Sequence, residues 1–163
     1  MRGAGSMVTV AELKGFRFFE TLPTSALKAL AGDAAELSFE TGDFIVHQHD
    51  EASAVYILLS GSVEFLMTVE GVDDLFVGTT SDPGAVIGWS VVREPRRYTA
   101  SVKCTEPCLA VRIPHGALNQ VLVDDPDSGA RILRAIAEAL VDRLEDAREL
   151  LGRLPKSGPR VEP

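Results

Sequence analysis

Gly84-Ala85-Val86-Ile87-Gly88-Trp89-Ser90-Val91-Val92-Arg93-Glu94-Pro95-Arg96-Arg97-Tyr98-Thr99-Ala100-Ser101-Val102 is the stretch whose reading decides the fold of this chain. It reads as a short strand, a tight glycine turn, one helical turn, a proline-marked loop and a second strand. Gly88 lets the backbone turn sharply and leaves room for a ligand to approach. Ser90 is a good N-cap for a turn over Val91 to Arg93. The N–H groups exposed at such a helical start form an anion site. Arg96 and Arg97 stand just before the next strand. The stretch therefore suggests a phosphate cradle, with Gly88, Trp89, Ser90, Val91, Arg96, Arg97, Tyr98 and Thr99 as its candidate ligand-binding residues.

Upstream of the cradle the hydrophobic period is two. Leu37 and Phe39, then Phe44 to Val46, then Val55 to Leu59, then Val63, Phe65 and Met67 read as successive strands. Thr41-Gly42-Asp43, Asp50 to Ser53, Ser60-Gly61-Ser62 and Gly71 to Asp74 supply the turns between them. Asp73 to Thr79 and Val86-Ile87 lead into the cradle, and Tyr98 to Cys104 and Leu109 to Ile113 follow it. Short strands at this spacing predict a barrel or sandwich.

The cradle resembles the phosphate-binding cassette of the cyclic nucleotide-binding domain family, the β-roll of catabolite-activator-type regulators, cyclic-nucleotide-dependent kinases and gated channels. Phe39-Glu40-Thr41-Gly42-Asp43 with Ile45, and Val55-Tyr56-Ile57-Leu58-Leu59-Ser60-Gly61-Ser62-Val63, resemble two further signatures of that roll. The resemblance spans roughly residues 16 to 152 and implies a mainly β fold: a jelly-roll-type roll over about 36–113 with short N-terminal helices and a long C-terminal helix. It also implies a regulatory sensor domain. The eleven residues after Gly152 make a stand-alone module the expectation. The sequence offers no paired carboxylate, no nucleophile with an identifiable base and no metal cluster, which predicts that it is not an enzyme.

Two departures bear on the ligand and a third on a local turn. The family usually has Gly-Glu where this chain has Gly88-Trp89, and that glutamate holds the ribose 2′-hydroxyl. The family's phosphate arginine lies two residues before the Ala-Thr-Val or Ala-Ser-Val that Ala100-Ser101-Val102 matches, where this chain has Tyr98. A neutral phenol lacks the planar charged fork with which arginine grips a phosphate. His49 stands where the family keeps a turn glycine before an acid, here Asp50. The sequence thus predicts weak or absent binding of cyclic AMP and cyclic GMP. It leaves a small anionic, nucleotide or other phosphate-containing ligand at 84–102, with no cofactor otherwise. Arg96 restores the missing charge if a strand has begun by residue 96, and Arg97 if Pro95 delays it. In the alternative reading Trp89 fills the pocket, and the protein is a ligand-free dimerising interaction module.

At the N-terminal side, Val10 to Gly15 and Leu22 to Leu30 read as short helices, with Phe16, Phe18 and Phe19 as core anchors. Residues 1–7 read as a leader or disordered segment, so the domain is expected over 8–152. Pro114 and Gly116 mark a switch to a helix carrying Ala117, Leu118, Val121 and Leu122. Asp124-Asp125-Pro126-Asp127-Ser128 then opens the longest helix, to about Leu151. Along it Leu133, Ile136, Leu140, Leu144, Ala147 and Leu151 form a coiled-coil-like stripe, and Arg131, Arg134, Arg143 and Arg148 join an outer charged face. That stripe predicts a homodimer through 126–151. The tail 153–163 reads as disordered, and its eleven residues are too few for a helix-turn-helix domain.

A net charge of −8 argues against nucleic acid as a main partner. No apolar run is long enough for a bilayer and no signal pattern is visible, which predicts no membrane partner and a cytoplasmic location. In a reducing compartment Cys104 and Cys108, across Thr105-Glu106-Pro107, read as small half-buried residues. His47, His49 and Asp50 lack a firm third metal ligand, and His115 reads as a helix-start residue. No metal and no catalytic residues are assigned.

Overall fold

The computed structural model describes residues 6–153. Eight antiparallel strands form two four-stranded sheets. They are β1 (Ala35–Phe39), β2 (Phe44–Val46), β3 (Ala54–Ser60), β4 (Val63–Val69), β5 (Val72–Thr80), β6 (Val86–Ile87), β7 (Ser101–Cys104) and β8 (Cys108–Pro114). One sheet runs β1-β8-β3-β6 and the other β2-β7-β4-β5, so the chain crosses between sheets repeatedly, as a roll does. Ala54, Val55, Ile57 and Leu58 are fully buried, which is why β3 is a nearly continuous apolar run rather than an alternating one. This is the mainly β fold with flanking helices that the sequence predicts.

Helices α1 (Val10–Lys14) and α2 (Thr24–Asp33) close one end of the roll with the fully buried Leu13, Phe19, Leu27 and Leu30. A capping box of Thr9 and Glu12 starts α1. The chain joins the roll earlier than the expected boundary at residue 8: the Glu36 N–H donates to the Ser6 carbonyl at 3.2 Å, and Met7 bridges Ala35. The expected leader otherwise lies outside the described residues, as does the expected tail apart from Arg153.

Helix α3 (His115–Asp124) turns directly into α4 (Pro126–Arg153). Asp125 caps α4, accepting the Ser128 hydroxyl at 2.6 Å and its N–H at 3.2 Å. Those bonds hold the Asp125 carboxyl below the usual range. Gly129 lets the two helices meet, since a Cβ there would stand 3.1 Å from Leu122 backbone.

His47 and His49 lie in the turn beyond β2, with His47 stacked on Phe44 at 4.5 Å. Three expectations need correction. The strand after the cassette begins at Ser101, not at Tyr98. In α4, Ile136 is 3 % exposed and packs on the protein's own core beside Ile132, so it leaves the outer stripe. Arg143 is not on an outer face, because helical spacing sets it in line with Ile132, Ile136 and Ala139, facing the roll. Its side chain is 20 % exposed and lies 4.2 Å over the Phe65 ring while donating to the Thr79 carbonyl at 3.3 Å.

Candidate functional site

The cassette hangs from β6, where Ile87 pairs with Tyr56 of β3. Gly88 follows in the left-handed region, at φ 82°, and a single 3₁₀ turn over Trp89–Val92 begins at once. The turn is closed by the Val91 N–H on the Gly88 carbonyl at 3.3 Å. This placement makes Gly88, not Ser90, the N-cap residue. Ser90 instead sits buried inside the turn beside Val91. The glycine already supplies the change of direction that a capping side chain would otherwise stabilise.

Beneath Gly88 stands Tyr98. A Cβ on Gly88 would lie 2.9 Å from the Tyr98 ring and 3.0 Å from the Ala54 carbonyl, so only glycine fits. The phenol donates to the Ala54 carbonyl at 2.8 Å and accepts the Ala54 N–H at 3.3 Å. Tyr98 backbone is pinned as well, donating to the Asp50 carbonyl at 3.0 Å and accepting the His49 N–H at 2.9 Å. Burial, more than the neighbouring Tyr56, raises the phenol above its ordinary pKa. Tyr98 is thus a neutral side chain, 5 % exposed, filling the space between the cassette and the start of β3.

Both cassette arginines are engaged with protein groups. Arg96 reaches Glu94 at 3.1 Å, Glu51 at 3.9 Å and His115 Nδ1 at 2.9 Å. Since arginine only donates, His115 Nδ1 accepts and the imidazole is protonated on Nε2. Arg97 donates from its side chain to the His49 carbonyl at 2.7 Å, and its backbone pairs antiparallel with that of Glu51. The alternation argument for either arginine fails because residues 96–100 precede the strand. Thr99 is exposed, while the Ser101 hydroxyl accepts the Gln48 N–H at 2.9 Å, the backbone use expected of a strand hydroxyl.

Trp89 is half-buried, with Phe18, Ala135 and Ala139 on the walls of a cleft between the cassette and α4. The ring that stands under Gly88 is that of Tyr98. His49 has φ 73°, which keeps the glycine-like turn that the family pattern calls for at that position. Cys104 and Cys108 are buried free thiols, with Cys104 pushed up to about 12 by burial and then by Cys108. Among the described residues no group of three or more histidines, cysteines or carboxylates could hold a metal.

This roll, interrupted by a glycine-led 3₁₀ turn and closed by a long helix, matches the family model described as the cyclic nucleotide-binding domain over residues 36–125. The chain belongs to that family. A structure from Geobacter metallireducens GS-15, assigned to cyclic nucleotide binding, is 30 % identical with a TM-score of 0.76, covering 85 % of this chain and 99 % of that one. A cyclic nucleotide-binding domain from Methylobacillus flagellatus KT has a TM-score of 0.71 at 17 % identity, covering 90 % of this chain and 83 % of that one. The sensor domain of the transcriptional regulator DNR from Pseudomonas aeruginosa has a TM-score of 0.65 at 21 % identity, covering 82 % and 89 %. These last two share the fold. No curated protein sequence matched the chain. No helix among the described residues of this family member is long and apolar enough to cross a membrane.

Two residues of this cyclic nucleotide-binding domain escaped the sequence reading. Ala54, the partner of Tyr98, carries no signal because it contributes only backbone atoms. Arg143 did carry one, its four- and seven-residue spacing from Ala139 and Ile136.

Proposed function

We propose that the protein is a non-catalytic regulatory module that dimerises through α4, and whose cassette does not take a cyclic nucleotide in the family's manner. The observation that carries the reading is the Tyr98 ring under Gly88, tied to Ala54 at 2.8 Å. A cyclic phosphate needs charged donors at that place, and a buried phenol donating to a backbone carbonyl offers none. Losing one charge-assisted contact forfeits roughly 1.5–3 kcal/mol, before the absent ribose carboxylate is counted. Calorimetry with cyclic AMP and cyclic GMP should give no saturable heat, and micromolar binding of either would reject the reading.

Dimerisation rests on an apolar stripe that faces solvent. Leu133, Leu140, Leu144 and Leu151 are 46 %, 41 %, 51 % and 67 % exposed. With Ala137 and Ala147 between them they follow alternating steps of four and three, the seam of a two-stranded coil. Four large aliphatic residues in one line favour a second copy of the same helix as their cover. The net charge of −8 speaks against nucleic acid as the partner.

A second reading keeps an anionic ligand at the cassette. It is favoured by Arg96, whose side chain retains 29 % exposure beside Arg97. Sulfate bound against the Trp89 and Ser90 amides in a crystal, with Arg96 as its nearest cation, would establish it.

A further inference from the structure

The two cysteines take no part in the cassette, yet they sit side by side in the core. Cys104 ends β7 and Cys108 begins β8, so they belong to different sheets. Only the exposed turn of Thr105, Glu106 and Pro107 separates them in sequence. Both are buried, at 1 % and 3 % exposure. Both also face the same two residues. Cys104 pairs with Val63 in the ladder of β4 and β7, and the Cys108 thiol donates to the carbonyl of the preceding Ser62 at 3.3 Å. The two thiols are hydrogen-bonded to each other, and after burial that bond is the main cause holding the Cys104 thiol above its usual range.

Backbone bonds fix this approach without help from the thiol protons. The Cys104 N–H donates to the Asp43 carbonyl at 2.8 Å, and its carbonyl accepts the Gly42 N–H at 2.7 Å. Besides the thiol, the Ser62 carbonyl takes the Thr105 N–H at 2.9 Å, the Thr105 hydroxyl at 3.0 Å and the Glu106 N–H at 3.4 Å. The second acceptor of the Cys108 thiol, at 3.2 Å, is the carbonyl of Glu106 in the exposed turn. Loss of the Cys108 proton therefore strands no buried acceptor. Room on the far side is short, because a Cβ on Gly61 would stand 2.6 Å from Cys108 Sγ. The packing admits a second sulfur beside Cys108 but no bulky group upon it.

We infer that Cys104 and Cys108 form a reversible disulfide site, closed by exchange with a small disulfide such as oxidised glutathione. The Cys108 sulfur gives up its proton to solvent and attacks one sulfur of the oxidant. The oxidant's S–S bond breaks, and one glutathione leaves as a thiolate that water protonates. Cys104, deprotonated in the same way, then attacks Cys108 Sγ and expels the second glutathione. Two protein thiols are oxidised and one small disulfide is reduced, so the exchange balances. Only the thiolate attacks, so burial keeps the resting pair slow until the exposed turn opens. Crowding against Gly61 then disfavours the mixed disulfide and leaves the internal bond as product. That bond ties the sheet of β7 to the sheet of β8.

These are the only two cysteines of the chain, so counting free thiols reads the site directly. Full chain treated with oxidised glutathione should pass from two thiols to none, two hydrogens lighter by intact mass and with no glutathione retained. The change should lie within the tryptic peptide from Cys104 to Arg112, and dithiothreitol should reverse it. The fold should also favour the bond. At half oxidation, the ratio of squared glutathione to oxidised glutathione should be about tenfold higher for folded chain than for chain in urea. A persistent glutathione adduct, a disulfide between two chains, two thiols that survive the oxidant, or the same ratio in both states would each overturn the assignment.

Discussion

The Tyr98 hydroxyl lies 2.8 Å from the Ala54 carbonyl oxygen and 3.3 Å from the Ala54 nitrogen, across 44 residues of sequence. One phenol thereby satisfies both backbone groups at the first residue of β3, and its ring occupies the space beneath Gly88. The cassette is held to the roll by a protein contact at the place where the family pattern puts an arginine.

Tyr98→Phe removes both bonds and keeps the ring. Leaving a buried carbonyl and N–H with one partner fewer should cost about 1–3 kcal/mol in denaturant unfolding. The pH dependence follows from the raised phenol. Folding favours the protonated form, so its contribution is complete below the ordinary tyrosine range and declines as pH rises through the folded value. In ultraviolet titration the parent should therefore show a tyrosine that ionises late, and the variant should lack it.

Gly88→Ala tests the close approach. The φ of 82° disfavours any side chain, and the added Cβ would stand 2.9 Å from the Tyr98 ring. A loss of roughly 1–3 kcal/mol is expected from backbone strain, with more from the contact. An unchanged unfolding midpoint would mean that the cassette relaxes without cost.

His49→Gly should do the opposite. His49 holds φ 73° with its side chain exposed, so glycine relieves strain and loses no packing. A gain of up to about 1 kcal/mol is expected, read as a higher melting temperature.

Those two positions also mark how far the sequence could be read. Gly88 was legible because a left-handed backbone leaves a residue-type signature, whereas the turn before Asp50 was not, since His49 replaces the glycine and still holds φ 73°. The roll was legible because short apolar strands are separated by recurring turns, even where, as in β3, they do not alternate. What failed were inferences that needed a neighbour in space. Ser90 has a capping side chain, yet Gly88 had already made the turn. Arg96 and Arg97 carry the right charge, yet no strand begins until Ser101. Instead Glu94, Glu51, His115 and the His49 carbonyl receive their donors. Ile136 shares a helical stripe with Leu133 and Leu140, but its greater angular offset carries it into the protein's own core.

Arg143 should latch α4 to the roll. Arg143→Met keeps the apolar stem and removes the bonds to Thr79 and Asp146 and the charge over Phe65. A partly desolvated cation over a ring is worth about 0.5–2 kcal/mol. Faster amide exchange should appear in α4 beyond residue 140, with protection of β3 retained. Uniformly faster exchange would instead indicate global destabilisation.

Leu140→Glu with Leu144→Glu should convert a dimer into a folded monomer in sedimentation, because both side chains point to solvent in one protomer. Ile136 is unsuitable for that test, since its change would damage the protomer itself. A parent protein that sediments as a monomer at high concentration would refute the dimer.

The closure of the cassette by Tyr98 is tested most directly by amide resonances while cyclic AMP is titrated to millimolar concentration. The signals of Ala54, Gly88 and Ser90 should stay in place, because the ring and hydroxyl of Tyr98 already hold the space and the bonds. Saturable shifts of those three amides at micromolar nucleotide would contradict the account.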